Sequence, residues 1–362
     1  MAQSCTGQEL PGYTLTDVPL VVNMDSIRMV PLNLTNVRYC PLETNRNCLI
    51  GHIDKALVRN NRIYVADFNK AIALFVFDMD GRFLFKIARM GKGPGEYLSF
   101  RDFDIHDNGE IYMFDHFGKK FLVFDQTGAY LRELVTDYFF SYFCLVKDKM
   151  YWSKLTDYGK KFADLAAYDM EENKTDFLLK DKKFLLGNHL FNYVSYRFYR
   201  SPPGITYYSP RFSEIVYAID DKGMRPAIGI KNLRIPPEHI ISEWESKDFG
   251  FAMDSDDVYF KENTHVYETG RYIVFICINK KMTSSLCLIY DKRAGAFSAV
   301  PIFLFGLFGV DGIKGSTGKD FFSIMSPHPD YKEHREILQS RKELSNWKEE
   351  DNPVIVFFDL DM

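Results

Sequence analysis

ALFVFDMDG at Ala73–Gly81, KFLVFDQTG at Lys120–Gly128 and IVYAIDDKG at Ile215–Gly223 are one phrase written three times: an apolar run, an aspartate, and a glycine three residues later. Weaker copies keep the plan in LAAYDMEEN from Leu165, LCLIYDKRAG from Leu286 and VIVFFDLDM from Val354. A phrase repeated six times means an array of one supersecondary unit, so the repeat decides the fold before any single residue is weighed.

Around the phrase the units align further. Ile63-Tyr64-Val65-Ala66-Asp67 precedes the Asp78 phrase, and Ile111-Tyr112-Met113-Phe114-Asp115 precedes the Asp125 phrase in the same order. Asp78 and Asp125 are 47 residues apart, and the later steps to Asp169, Asp220, Asp291 and Asp359 are 44, 51, 71 and 68, so the last two units carry insertions. Short apolar and aromatic runs punctuated by turn residues read as β, four strands to a unit. In the first unit they are expected at Lys55–Arg59, Arg62–Asp67, Ala73–Asp78 and Phe83–Ala88. The aspartate closing each third strand is a turn part, its carboxylate accepting backbone N–H groups, and Gly81, Gly128 and Gly223 supply φ > 0.

Four-stranded units repeating every roughly forty to fifty residues define the fold class: all-β, a six-bladed β-propeller of four-stranded antiparallel blades. The sixth unit places its third strand at Pro353–Asp361, so an N-terminal strand, Val18–Asn23 or Ile27–Leu32, is expected to close the ring. Residues 1–13 read as a tail or tether and 14–362 as one propeller domain, with a charged helical insertion over 328–350 carrying Tyr331, Ile337, Leu338, Leu344 and Trp347 at helical spacing. A second insertion, 235–251, reads as a short helix between blades four and five.

The 46% hydrophobic and 26% charged composition, with 22 Tyr and 32 Phe, fits a folded body of aromatic-rich sheets. A net charge of −4, with bases scattered among acids, gives no stripe for a nucleic-acid backbone. The longest uncharged stretch, Ala294–Val310, is broken by Pro301, Gly306 and Gly309 and falls short of the about 20 residues that span a bilayer, so no transmembrane segment is expected. Six cysteines make no disulfide framework. If the hairpin turns about Met282, Cys277 and Cys287 sit opposite each other, either as a cross-strand disulfide or as two buried thiols; Cys40 and Cys48 are a second candidate pair, across a short loop.

The chain resembles a six-bladed β-propeller family common in Bacteroidetes, related to the NHL-repeat propellers and rich in predicted lipoproteins. The resemblance is carried by Cys40-Pro41-Leu42-Glu43-Thr44 with Leu49-Ile50-Gly51-His52-Ile53, by the loop IARMGKGPGEYLSFRDF at Ile87–Phe103, by Pro210–Tyr217, and by Asp351-Asn352-Pro353-Val354-Ile355. It implies an extracytoplasmic place, in the periplasm or on the outer-membrane surface. Cys5 is then the candidate lipidation site, although no apolar signal segment precedes it.

Gly91, Gly93, Gly95 and Lys92 look like a phosphate cradle, but a strand rather than a helix follows, so the loop reads as a blade-to-blade crossing with Tyr97 packed against a sheet. Propellers place functional groups where inner strands begin. Aligning the first two units sets His52-Ile53-Asp54-Lys55 against Ser99-Phe100-Arg101-Asp102, and the fourth unit adds Tyr196 and Arg197. The candidate ligand-binding residues are therefore His52, Asp54, Lys55, Arg101, Asp102, Tyr196 and Arg197. Their plain alternative is a salt-bridged, hydrated rim.

No HExxH, close His pair or Gly-x-Ser-x-Gly elbow is present, and no catalytic residue is assigned. The primary reading is a non-catalytic binding or scaffold module that takes a small molecule, glycan or protein at an axial face, without a required cofactor. The alternative, by fold analogy, is a metal-dependent lyase or hydrolase holding a channel cation such as calcium through His52, Asp54 and Asp102.

Overall fold

The computed structural model describes residues 13–156, 162–179, 198–201, 204–210, 213–237, 239–240, 243, 262–278, 285–302, 304–305, 312–325, 341–348 and 350–362. These residues form six sheets with the strand plan of a six-bladed β-propeller. Three strands, β1 (Leu20–Asn23), β2 (Arg28–Met29) and β3 (Leu34–Pro41), come before blade one, which is β4 (Lys55–Arg59), β5 (Arg62–Asp67), β6 (Ala73–Asp78) and β7 (Phe83–Ile87). Blade two is β8 (Asp102–Ile105), β9 (Ile111–Asp115), β10 (Lys120–Phe124) and β11 (Tyr130–Val135). Blade three is β12 (Tyr142–Val146), β13 (Lys149–Thr156), β14 (Phe162–Asp169) and β15 (Lys174–Leu179). Blade four is β16 (Phe198–Ser201), β17 (Ile205–Tyr208), β18 (Ile215–Asp220) and β19 (Gly223–Lys231), and blade five is β20 (Glu262–Glu268), β21 (Tyr272–Ile278), β22 (Leu286–Asp291) and β23 (Ala296–Pro301). Blade six joins β24 (Gly315–Ser316), β25 (Phe321–Met325) and β26 (Val354–Leu360) to β3.

The chain divides into two compact units. One comprises Val30–Val135, Tyr267–Arg271 and Ile302–Met362 and holds blades one, two and six; the other comprises Met1–Met29, Thr136–Val266 and Tyr272–Pro301 and holds blades three and four and most of five.

In the first unit the two-residue period of the strand sorts blade one's side chains between two cores. Tyr64, Ala66, Leu74 and Val76 pack with Phe103, Ile105 and Met113 of blade two. Ile63, Val65, Phe75 and Phe77 pack on the opposite side with Phe322, Ile355 and Phe357 of blade six. Both faces of β5 and β6 are buried, which is why they read as continuous apolar runs rather than alternating ones. Each phenylalanine so buried is worth about 1.5–3 kcal/mol against leaving it exposed.

The third-strand aspartates do the expected work in the turns. Asp78 Oδ1 accepts the N–H groups of Asp80 and Arg82, Asp125 Oδ1 those of Thr127 and Ala129, and Asp291 Oδ1 that of Arg293. Gly81, Gly128 and Gly223 have φ of 81°, 83° and 102°.

Closure by an N-terminal strand holds, but the strand is β3, which pairs antiparallel with β26 from Leu34↔Leu360 to Pro41↔Val354. The two expected candidates have other partners. β1 runs parallel to β19, and β2 runs parallel to β23, both in the second unit. An apolar run as short as these marks a strand but not which sheet edge it covers.

Cys277 pairs with Leu286 and Ile276 with Cys287, so the two cysteines are one position out of register. Both are buried and in no disulfide, as are Cys40, Cys48 and Cys144. Of the insertion at 328–350, the described part carries the 3-10 turn Lys342–Leu344 with Leu344 buried, and residues 328–340 lie outside the described residues. Most of the second insertion lies outside them as well.

Candidate functional site

The antiparallel order of a blade puts the second-to-third-strand loop and the crossing to the next blade at one end. In the first unit that end is organised by two buried carboxylates, Asp67 and Asp115, the last residues of β5 and β9. Asp67 Oδ2 accepts the N–H groups of Gly51 and His52, and its Oδ1 accepts those of Asn69 and Lys70. Burial alone would raise the Asp67 pKa, but backbone donors from Lys70, Ala71, His52 and Asn69 outweigh it and hold the group below its ordinary value. Asp115 repeats the device with Leu98 N, Ser99 N, Ser99 Oγ and Gly118 N. These two aspartates fix the loops that carry the candidate residues, and their signal was the shared final aspartate of the two aligned second strands.

Lys55 and Asp102 begin the first strands of blades one and two at equivalent positions, each paired with the penultimate residue of its second strand. They meet as an ion pair, Lys55 Nζ to Asp102 Oδ1 at 2.7 Å. The ammonium also donates to Phe103 O at 2.6 Å and lies 5.0 Å from the Phe103 ring centroid. Phe103 N adds a 2.8 Å bond to Asp102 Oδ1. Both side chains are mostly buried, so the pair links the two blades.

One residue earlier the strand alternation turns side chains outward. Arg101 is exposed and is in no ion pair among the described residues. Its charge is felt by the half-buried His116, whose imidazole is held below its ordinary pKa by burial first and Arg101 second. Asp54, the equivalent of Arg101 in blade one, accepts Phe68 N at 2.6 Å and Asn69 Nδ2 at 3.1 Å. His52 Nδ1 lies 3.2 Å from Asp54 Oδ1, with the histidine side chain 62% exposed. The structure thus brings together Lys55 with Asp102 and His52 with Asp54. Asp102 does not join His52 and Asp54, and among the described residues no three His, Cys, Asp or Glu side chains are grouped to hold a metal ion. Tyr196, Arg197 and Cys5 lie outside the described residues.

The glycine-rich crossing from β7 to β8 is the expected blade-to-blade loop. Gly91 N donates to Tyr97 O and Tyr97 N to Arg89 O, both at 3.0 Å, and the buried Tyr97 hydroxyl donates to Ile72 O at 2.5 Å. Burial pushes that hydroxyl up to about 12. Gly95 has φ of 75°, and a Cβ there would stand 2.9 Å from Tyr130 Cγ.

Sequence reasoning missed one organising residue, Asn352. Its buried side chain donates to Glu43 O at 2.7 Å and Cys48 O at 2.6 Å and accepts Ile50 N at 2.9 Å, and its own N–H donates to Thr44 Oγ1 at 2.8 Å. The two stretches singled out at opposite ends of the sequence, Cys40–Ile53 and Asp351–Ile355, are therefore one assembly.

Six four-stranded blades define a β-propeller, and in blades one and two one loop end is braced by buried carboxylates. The domain of unknown function DUF4934 is matched over residues 20–359, and the chain belongs to that family. Among solved structures, a protein of Bacteroides fragilis inferred to be exported aligns with a TM-score of 0.74 at 18% identity, covering 95% of this chain and 99% of that one. A DUF4221 family member from Bacteroides vulgatus aligns with a TM-score of 0.53 at 9% identity, covering 91% and 98%. At these identities the likeness is one of fold. No curated protein matches the chain. Among the described residues no helix is long and apolar enough to cross a membrane.

Proposed function

We propose that the chain is a non-catalytic binding or scaffold module of the bacterial cell envelope, taking its partner on the loop-bearing end of blades one and two. One observation carries the reading. The exposed Arg101 guanidinium, in no ion pair among the described residues, stands beside a layer in which Lys55, Asp102, Asp67 and Asp115 are all committed to internal bonds. Groups so committed hold shape. An unpaired exposed guanidinium, with five donors in a fixed fork, is suited to recognition. His52 and Arg101 then contact the partner, with Asp54 holding His52, while Lys55 and Asp102 position the loops. The Bacteroides fragilis relative inferred to be exported supports an extracytoplasmic place, and lipidation at Cys5 would tether the module there.

The test is a thermal-shift screen of oligosaccharides and peptides against the purified chain, Arg101→Ala and His52→Ala, with and without EDTA or calcium. A ligand bound by the native state raises Tm by mass action, and the variants are expected to lose that rise while keeping the ligand-free Tm. Equal protection of the variants would sink the proposal. So would turnover of any substrate that Asp102→Asn abolishes.

A further inference from the structure

We infer that the partner is a protein presenting an acidic segment with apolar side chains, and that it docks on the rim of blade two; the inference rests on the binding-module reading above. Four large apolar residues stand out at this end: Met90, Leu98, Phe117 and Val135, exposed by 52, 39, 74 and 74%. They come from three separate chain segments, the β7–β8 crossing, the β9–β10 loop and the end of β11. Local bonds join them into one surface. Phe117 N donates to Ser99 Oγ at 3.0 Å, directly after Leu98; Met90 is bridged to Tyr97, directly before it; and Val135 pairs with Lys120, three residues past Phe117. Single exposed apolar residues need no explanation, but a contiguous group rimmed by charge marks an interaction site.

Charge names the partner. Arg89, Lys92 and Arg101, in the same crossing, are exposed and in no ion pair among the described residues. The acids of the β7–β8 crossing and of the end of β9 are held by local donors: Glu96 Oε2 accepts Gly93 N at 2.8 Å, and Asp115 accepts four loop donors; Asp137, two residues past Val135, is the exposed acid at the edge of this surface. The β7–β8 crossing therefore holds its negative charge in local bonds and presents Arg89, Lys92 and Arg101 outside. At the opposite end of blade two the arrangement differs, with Arg132 held by both oxygens of Glu110 at 2.8 Å. A small anion would need only the cations. The apolar residues between them call for a polypeptide that supplies carboxylates and side chains together, and the internally bonded loop offers them a preorganised surface.

The experiment uses the full chain and fluorescent synthetic peptides: one with alternating acidic and Leu or Phe residues, one with its acids changed to Lys, and one with its apolar residues changed to Ser. Polygalacturonate serves as a polyanionic glycan. The acidic apolar peptide is expected to bind, to weaken as salt rises, and to lose affinity roughly tenfold or more with either Phe117→Ser or Arg101→Glu. Both substitutions fall on exposed side chains, and an unchanged Tm certifies the fold. Equal binding of the serine peptide, or binding untouched by Phe117→Ser, overturns the inference. Polygalacturonate binding lost in Arg101→Glu but kept in Phe117→Ser also overturns it while leaving the binding module standing. Concentration-dependent mass that Phe117→Ser abolishes would assign the rim to a second copy and overturn it too. Failure of every peptide overturns it, and the thermal screen then decides the broader reading separately.

Discussion

Replacing Asn352 by alanine removes three hydrogen bonds that hold the Cys40–Ile53 segment, at 2.6, 2.7 and 2.9 Å. Each neutral bond is worth about 1 kcal/mol net, so the loss is about 3 kcal/mol, rising toward about 5 kcal/mol if Glu43 O, Cys48 O and Ile50 N stay dry and unpartnered. With a urea slope of about 3 kcal/mol per molar, the unfolding midpoint falls by roughly 1 M. Asn352→Asp is the sharper probe. It sets a buried carboxylate against the two carbonyl oxygens that the amide now serves, so its folded pKa lies above the ordinary aspartate value of about 3.9. A raised folded pKa means a contribution intact below the unfolded pKa and lost as pH rises through the folded one. Asn352→Asp is therefore expected to fall further behind Asn352→Ala as pH rises from 4 to 7. An alanine variant with a midpoint within about 0.2 M of the parent would refute the reasoning. So would an aspartate variant more stable than alanine at pH 7.

Lys55→Met leaves the Asp102 carboxylate buried without its cation and should cost on the order of 3 kcal/mol, whereas Lys55→Met with Asp102→Leu should recover most of it, read by urea denaturation. Gly95→Ala places a methyl group on left-handed backbone against the Tyr130 ring and should cost roughly 2 kcal/mol by the same measurement; Pro94→Ala nearby serves as the reference. The Arg132 fork, opposed by partial burial, holds Glu110 down from 4.5 to about 2. That depressed pKa contributes stability present above pH 4.5 and lost as pH falls toward 2, so the parent's advantage over Glu110→Gln should shrink across that window and stay level from pH 5 to 8, with the Glu110 carboxyl midpoint checked by NMR.

Blade one was legible almost residue by residue: three of its four strands match the expected bounds, and β7 ends one residue early. Its legibility has a physical source, since strands buried on both faces write their role as unbroken apolar runs and the turn aspartates mark their ends. Aligning two repeats put Lys55 and Asp102 at equivalent positions among the candidate residues, but that they bind each other was not legible. What escaped was long-range. Asn352 lies 302 residues from Ile50, and nothing in an Asn-Pro dipeptide tells a turn residue from a side chain that fastens a distant segment. The N-terminal strands escaped for a different reason: β2 is two residues long and exposed, so it carries no burial pattern. The rim of blade two was legible only in part, since Arg101 stood out in the alignment whereas Phe117 and Val135 look like core residues until the fold shows them uncovered.

The outer strands of the blades settle a problem of self-recognition. In five blades the third-to-outer strand pairing slips register, at Val76/Phe77, Val123/Phe124, Leu165/Ala166, Val216/Tyr217 and Phe357/Asp359. Such bulges twist a free edge away from the straight ladder that another chain would need for edge-to-edge aggregation. Blade five pairs β22 with β23 without a slip, and it is β23 that receives β2. The N-terminal segment, which in sequence looks like a mere preamble to the repeats, thus covers part of the one unslipped outer edge through β2 and the slipped edge of blade four through β1, leaving less of either to nucleate a cross-chain sheet.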